Sequence, residues 1–361
     1  MGLFRYFKER DDSTFIVILT YILVIIGLLL LYSASKGIIF KSSFFVKQCI
    51  WVILGTIIII FLNGVNYREL KRFAPILYFI ILFLLLIVLA TGEKGPSRWI
   101  NLGWLYFQPS EFAKFVLIVA LSAYLENRNI RKFSVFFTSL LIVFIPFILV
   151  LLQPNLGTAF IFIFISLGIL YQADMSRKQF LSLFFIVLLL SPILWFSMKG
   201  YQKERILTFI NPGRDPIGAG YNLLQSKITI GSGGLIGKGF LKGTQTKLAF
   251  LPEYHTDFIF CVLAEEFGFI GVLIFLFLYY LFFKKIIEII SFTTDEFGKL
   301  LATGILTLFV AQFTINIGMT MGLFPIVGIP LPFISYGGSS LITCLICIIF
   351  LKNIQDSWSV F

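Results

Sequence analysis

Residues 14–33 read TFIVILTYILVIIGLLLLYS, a run without one Asp, Glu, Lys, Arg or His. A helix needs about 20 consecutive apolar residues to cross the hydrocarbon of a bilayer, so this segment predicts a transmembrane helix. Comparable runs recur near 44–62, 74–91, 109–126, 133–151, 156–172, 179–197, 257–283, 299–321 and 335–352. The sequence therefore predicts an all-α polytopic membrane protein with about ten transmembrane helices. Composition agrees: 58% of the 361 residues are hydrophobic, 44 are Phe, and the mean hydropathy is +0.97. No water-soluble domain of this length sustains such values. The first helix follows a basic segment but runs too long and lacks a small-residue cleavage site, so it reads as an uncleaved anchor.

Orientation follows from the cations, because short cytoplasmic loops carry the excess of Lys and Arg. With the amino terminus inside, the inner segments hold Arg68, Lys71, Arg72, Arg128, Arg131, Lys132, Arg177, Lys178, Lys284 and Lys285, while the short outer loops hold only Lys36, Lys41, Lys94 and Arg98. Both termini are then cytoplasmic, in a multi-pass membrane protein. The net charge of +11 is a topology signal, and no nucleic-acid partner is expected. Cys49, Cys261, Cys344 and Cys347 all fall inside spans and read as small packing residues rather than zinc ligands.

The chain reads as a single membrane domain, 1–361. Residues 198–256 form a large extracytoplasmic loop between helices 7 and 8, far longer than a turn requires. Ile206, Phe209, Leu223, Ile228 and Leu235 give it apolar contacts, so short, partly buried helices are expected. Its segments NPGRDPIGAG (211–220) and GSGGLIGKG (231–239) either aim backbone N–H groups at an anion or only form turns. Neither has the GxxxxGK[ST] form, so no nucleotide is expected. GLFPIVGIPLPFISYGGSS (322–340) cannot be a regular helix; it is either a shallow re-entrant segment or a surface loop.

Polar residues gather near the outer ends of the spans. Asp257 opens the eighth helix in LPEYHTDFIFCVLAEE (251–266), with Thr256 as its expected N-cap. A carboxylate at bilayer depth costs about 2.5–3.5 kcal/mol on insertion scales, which makes it a functional candidate; its bland alternative is a first-turn acid favoured by the helix dipole. Glu111 and Lys114, three apart in QPSEFAKF, share a helical face. They are a self-neutralising structural pair or a substrate-binding pair, and the poor stabilising value of buried pairs favours function. Arg98 in PSRWINLG can grip phosphate bidentately. Gln153, Gln312 and Asn316 bond between helices or face a cavity. His255, the one histidine, lacks partners for a metal cage.

These motifs, with LQPNLGTA, DPIGAGYNLLQSKITIGSGGLIGKGF and NIGMTMGLFPIVGIPLPFISYGGSS, resemble the SEDS family (shape, elongation, division and sporulation) of bacterial cell-wall polymerases, on the RodA branch, from the first helix to the last. Tyr254 stands where many relatives carry a basic residue. The resemblance implies a ten-helix peptidoglycan glycosyltransferase of cell elongation that joins lipid II to a nascent glycan strand beside a class B penicillin-binding protein. On that reading Asp257 matches the essential acid of the HTDF motif and acts as general base in an inverting transfer, with undecaprenyl pyrophosphate leaving. Glu111, Lys114, Arg98, Arg205, Gln153 and His255 form the expected substrate-binding set. A divalent cation, Mg or Mn, would help hold the pyrophosphate, and its ligands are not legible in the sequence. A lipid II flippase and a non-catalytic scaffold for the penicillin-binding protein are the rival functions. The flippase predicts ionisable residues continuing to the inner face, where the spans are nearly uncharged.

Overall fold

The structure, a computed structural model, describes residues 2–36, 42–91, 98–101, 103, 106–198, 200–215, 218–248, 250–251 and 253–360. Lys41 and Lys94 lie outside these residues, as do Pro96, Ser97, Leu102, Pro216, Ile217 and Pro252 of the quoted motifs. Helices α1 (Gly2–Ser35), α2 (Ser42–Leu62), α3 (Glu69–Thr91), α4 (Pro109–Leu125), α5 (Phe133–Leu152), α6 (Leu156–Gln172) and α7 (Arg177–Ser197) come first. Short helices α8 (Gly200–Ile210), α9 (Ala219–Ser232) and α10 (Thr244–Lys247) follow, then α11 (Ile259–Phe292), α12 (Glu296–Met321) and α13 (Gly338–Asp356). Two-residue strands β1 (Ile100–Asn101) and β2 (Tyr106–Phe107) pair antiparallel before α4.

Each predicted apolar run carries a helix. Among the described residues seven helices are long and apolar enough to cross a membrane, and α6 adds a 17-residue apolar helix. The protein is an all-helical, multi-pass membrane protein. Helices suit this sequence because in hydrocarbon every backbone N–H and C=O must be satisfied within the protein. α13 is the most enclosed span, packed on α1, α2 and α4, while α12 packs on α4, α6 and α11. Phe79, Phe83, Phe184 and Leu189 stay exposed on outer helices, a lipid-facing coat that water would not tolerate.

Three local expectations change. The eighth span is not one helix, because Gly268 (φ 64°, ψ −163°) breaks α11. Thr256 is not its N-cap. That position is Phe258, and Thr256 Oγ1 instead donates to Glu253 O at 3.2 Å, since the chain turns once more before the helix begins. The proline-rich segment 323–337 is irregular but largely interior, with Ile329, Leu331, Phe333 and Ile334 buried. Tyr279 Oη donates to Pro332 O at 2.5 Å and Asn316 Nδ2 to Ile329 O at 2.7 Å. This is the condition under which broken backbone survives at membrane depth.

Candidate active site

Asp257 lies in the turn 253–258 that leads into α11. That turn is held by neighbours from two directions. Asn316 Nδ2 of α12 donates to Asp257 O at 3.0 Å, Ser335 Oγ donates to Thr256 O at 2.6 Å, and Tyr336 N donates to His255 O at 3.0 Å. The turn is also strained, for Glu253 takes a positive φ of 51°. Gly328 (φ 69°) passes so close that a Cβ there would sit 3.1 Å from Asp257 Oδ2. Gly157 packs equally tightly, its Cβ position 2.8 Å from Val327 O, which ties the start of α6 to the proline-rich segment. Four stretches distant in sequence thus converge at one end of the bundle.

Burial pushes the Asp257 carboxyl up to about 6; Glu253 adds to the rise, and Arg205 and Arg98 oppose it. A carboxyl at that value is close to neutrality, where a general base works best. Arg98 reaches the site through a hydrogen bond from Nη2 to Pro154 O in the α5–α6 turn. Arg205, on α8, borders a groove of about 200 Å³ whose walls include Phe209, Leu223 and Phe324. Two arginines from separate elements therefore act electrostatically on one carboxylate.

The other expected residues lie as follows. Glu111 and Lys114 are buried and paired at 2.7 Å within α4. Gln153 is buried and donates its amide to Leu85 O at 2.8 Å, an interhelical bond to α3. His255 stacks on Phe44 of α2 at 4.4 Å, with its Nε2 3.8 Å from Glu253 Oε2. Among the described residues no group of three or more His, Cys, Asp or Glu side chains is placed to hold a metal ion. Glu253, exposed in the same turn as Asp257, is a carboxylate that suits a hydrated Mg²⁺ or Mn²⁺ completed by substrate phosphates.

Glu265 and Glu266, in the motif LPEYHTDFIFCVLAEE, have no expected role from the sequence. Both are buried in α11, and Glu265 pairs with Lys238 at 2.7 Å. The open choice for the glycine-rich segment is also decided locally. Within 231–239, Gly237 N donates to Gly233 O, and Lys238 N and Gly239 N donate to Glu265 O and Glu266 O at 3.0 and 2.9 Å, so these N–H groups make turns and dock on α11; Thr244 N and Gln245 N, beyond the segment, donate to the Glu265 carboxylate at 2.8 Å. The signal was present as two adjacent acids inside an apolar run.

Residues 13–359 match the FtsW/RodA/SpoVE family, described as cell cycle proteins. The chain belongs to this family. It is a SEDS protein close to RodA. It is 40% identical to the peptidoglycan glycosyltransferase MrdB of Escherichia coli, covering 94% of this chain and 91% of that protein. It is 32% identical to the peptidoglycan glycosyltransferase RodA of Treponema pallidum, covering 96% and 98%. In a peptidoglycan synthase complex whose polymerization and crosslinking are structurally coordinated, one chain superposes with a TM-score of 0.82 at 30% identity, covering 95% of this chain and 97% of that one. RodA of Thermus thermophilus gives 0.71 at 28% identity, covering 95% and 96%. This SEDS protein is a membrane-embedded glycosyltransferase.

Proposed function

We propose that the enzyme polymerises lipid II into glycan strands during cell elongation, with Asp257 as general base. The observation that carries this is the half-buried Asp257, held in its turn by Asn316, Ser335 and Tyr336, with its carboxyl raised to about 6 and in the electrostatic reach of Arg98 and Arg205. In the proposed step the 4-hydroxyl of one disaccharide loses its proton to Asp257 Oδ. Its oxygen forms the bond to the anomeric carbon of the lipid-linked chain, and the bond from that carbon to undecaprenyl pyrophosphate breaks with the electron pair leaving on the phosphate oxygen. An α-linked donor and a β-linked product require one inversion, hence one displacement. A base of this kind contributes about 10² to 10⁴ in rate.

Arg98 and Arg205 are the cations to hold the departing pyrophosphate, since guanidinium forks suit phosphate oxygens. A divalent cation, Mg or Mn, held by Glu253 and the substrate's phosphates, would supply further charge neutralisation there. The lipid-linked donor carries its own activation, so no nucleotide is involved. Glu111 and Lys114 would wall the cavity that receives the sugar. The groove beside Arg205 is walled by Phe209 of α8, Leu223 of α9 and Phe324 of the proline-rich segment, and displacement of α9 would widen it to admit a disaccharide.

The proposed setting is the bacterial inner membrane, with both termini cytoplasmic and Asp257 on the outer side. The proposed partner is a class B penicillin-binding protein, supported by the likeness to a chain of a peptidoglycan synthase complex. Purified enzyme with that partner and labelled lipid II should yield glycan strands. Translocation of labelled lipid II in vesicles without strand formation would instead support a flippase.

A further inference from the structure

Glu265 and Glu266, which the proposed chemistry leaves unused, stand at the break in α11. Gly268 divides α11 into two helices end to end, and such a break strands backbone groups on either side. The glycine-rich segment takes them up. Lys238 N and Gly239 N donate to Glu265 O and Glu266 O at 3.0 and 2.9 Å, while Phe269 N and Ile270 N donate to Gly234 O and Leu235 O at 2.9 and 3.1 Å. The approach leaves no room for side chains: a Cβ on Gly237 would lie 2.2 Å from Glu266 O, and one on Gly268 2.3 Å from Gly237 N. Side chains then fasten the splint. Glu265, 0% exposed, accepts from Lys238 Nζ at 2.7 Å as well as from the Thr244 and Gln245 amides, and Ser33 of α1 donates to Glu266 Oε1.

This geometry joins two parts of the site. The short half of α11 carries Asp257 on its lead-in, and the segment from α8 to α10 carries Arg205. A buried ion pair is a poor stabiliser beside apolar residues of equal volume, so stability alone does not account for Glu265 and Lys238. We propose that Glu265, through Lys238, is a positioning residue: the pair locks the extracytoplasmic segment to the short half of α11 and thereby fixes Asp257 relative to Arg205. The proposal rests on the reading of Asp257 as base.

The test uses the full-length enzyme with its partner. Lys238→Met removes the ammonium but keeps the apolar stem, and Lys238→Arg restores the charge. For Lys238→Met we expect amide exchange at Lys238, Gly239, Thr244 and Gln245 to quicken about tenfold or more. Turnover should fall about tenfold with KM within about twofold, because a displacement of about 1 Å costs up to 10²-fold in rate. The pH at which the rate is half-maximal should shift, and Lys238→Arg should return all three readings towards the parent. Quickened exchange with unchanged turnover and pH profile would make the pair merely structural and overturn the proposal. So would unchanged exchange. An active Asp257→Asn enzyme, by contrast, would sink the base assignment while leaving the exchange result standing.

Discussion

Asp257 is held where its ionisation opposes folding. Its carboxyl stands at about 6 because of burial, above the usual carboxylate range. A raised acid value means the folded state prefers the protonated form, so the cost of ionisation is absent below about pH 4 and complete above about pH 6. Asp257→Asn should therefore raise Tm at pH 8 and leave it unchanged at pH 4, read by thermal melts in detergent. Glu111 and Lys114 give the opposite case. Glu111→Gln leaves the Lys114 ammonium buried without its partner and should cost about 3–5 kcal/mol. Combining Glu111→Leu with Lys114→Met should restore most of that stability yet lose polymerisation. A restored double variant at full rate would reduce the pair to a structural strut.

At the scale of elements, what the sequence made legible is what depends on composition along the chain. Unbroken apolar runs dictate helices because the bilayer leaves the backbone no other partner, and every run but 257–283 became a single helix. The break at Gly268 was not legible, for a single glycine within a span is compatible with an unbroken helix, and only the approach of residues 233–239 makes a positive φ necessary there. Asp257 was legible as a lone acid at the mouth of a span. The pairing of Glu265 with Lys238 was not, since 27 residues and a folded loop separate them. The glycines of 231–239 were ambiguous for the same reason: a turn, a phosphate cradle and a docking surface ask for the same residue. Gly268→Ala tests the break itself. A Cβ so near Gly237 N, on backbone of φ 64°, should cost about 2 kcal/mol or more and release the glycine-rich segment. Rapid proteolysis within 231–250, absent from the parent, would report that release.

Seen whole, the molecule puts its polar groups at two ends of an apolar bundle. One end is laced by Tyr67 with Asp295, Lys71 with Glu126 and Arg131 with Asp174, and the other gathers Asp257, Arg98 and Arg205. The proposed chemistry needs an entry beside Arg205, and α9 is the wall whose displacement would open it. Ser226 Oγ of α9 donates to Thr320 O of α12 at 2.9 Å, so cysteines at these two positions, in a background without the four native ones, should tether the segment when oxidised. Oxidation should stop strand formation and reduction restore it; undiminished synthesis by the tethered form would show that α9 need not move. The proton transfer itself is tested most directly by the rate of strand formation from labelled lipid II, at saturating substrate, between pH 4.5 and 8. The expected profile rises close to tenfold per unit below about pH 6 and flattens above it, with Asp257→Asn reduced at least about 10²-fold throughout. A flat profile together with an active Asp257→Asn enzyme would contradict it.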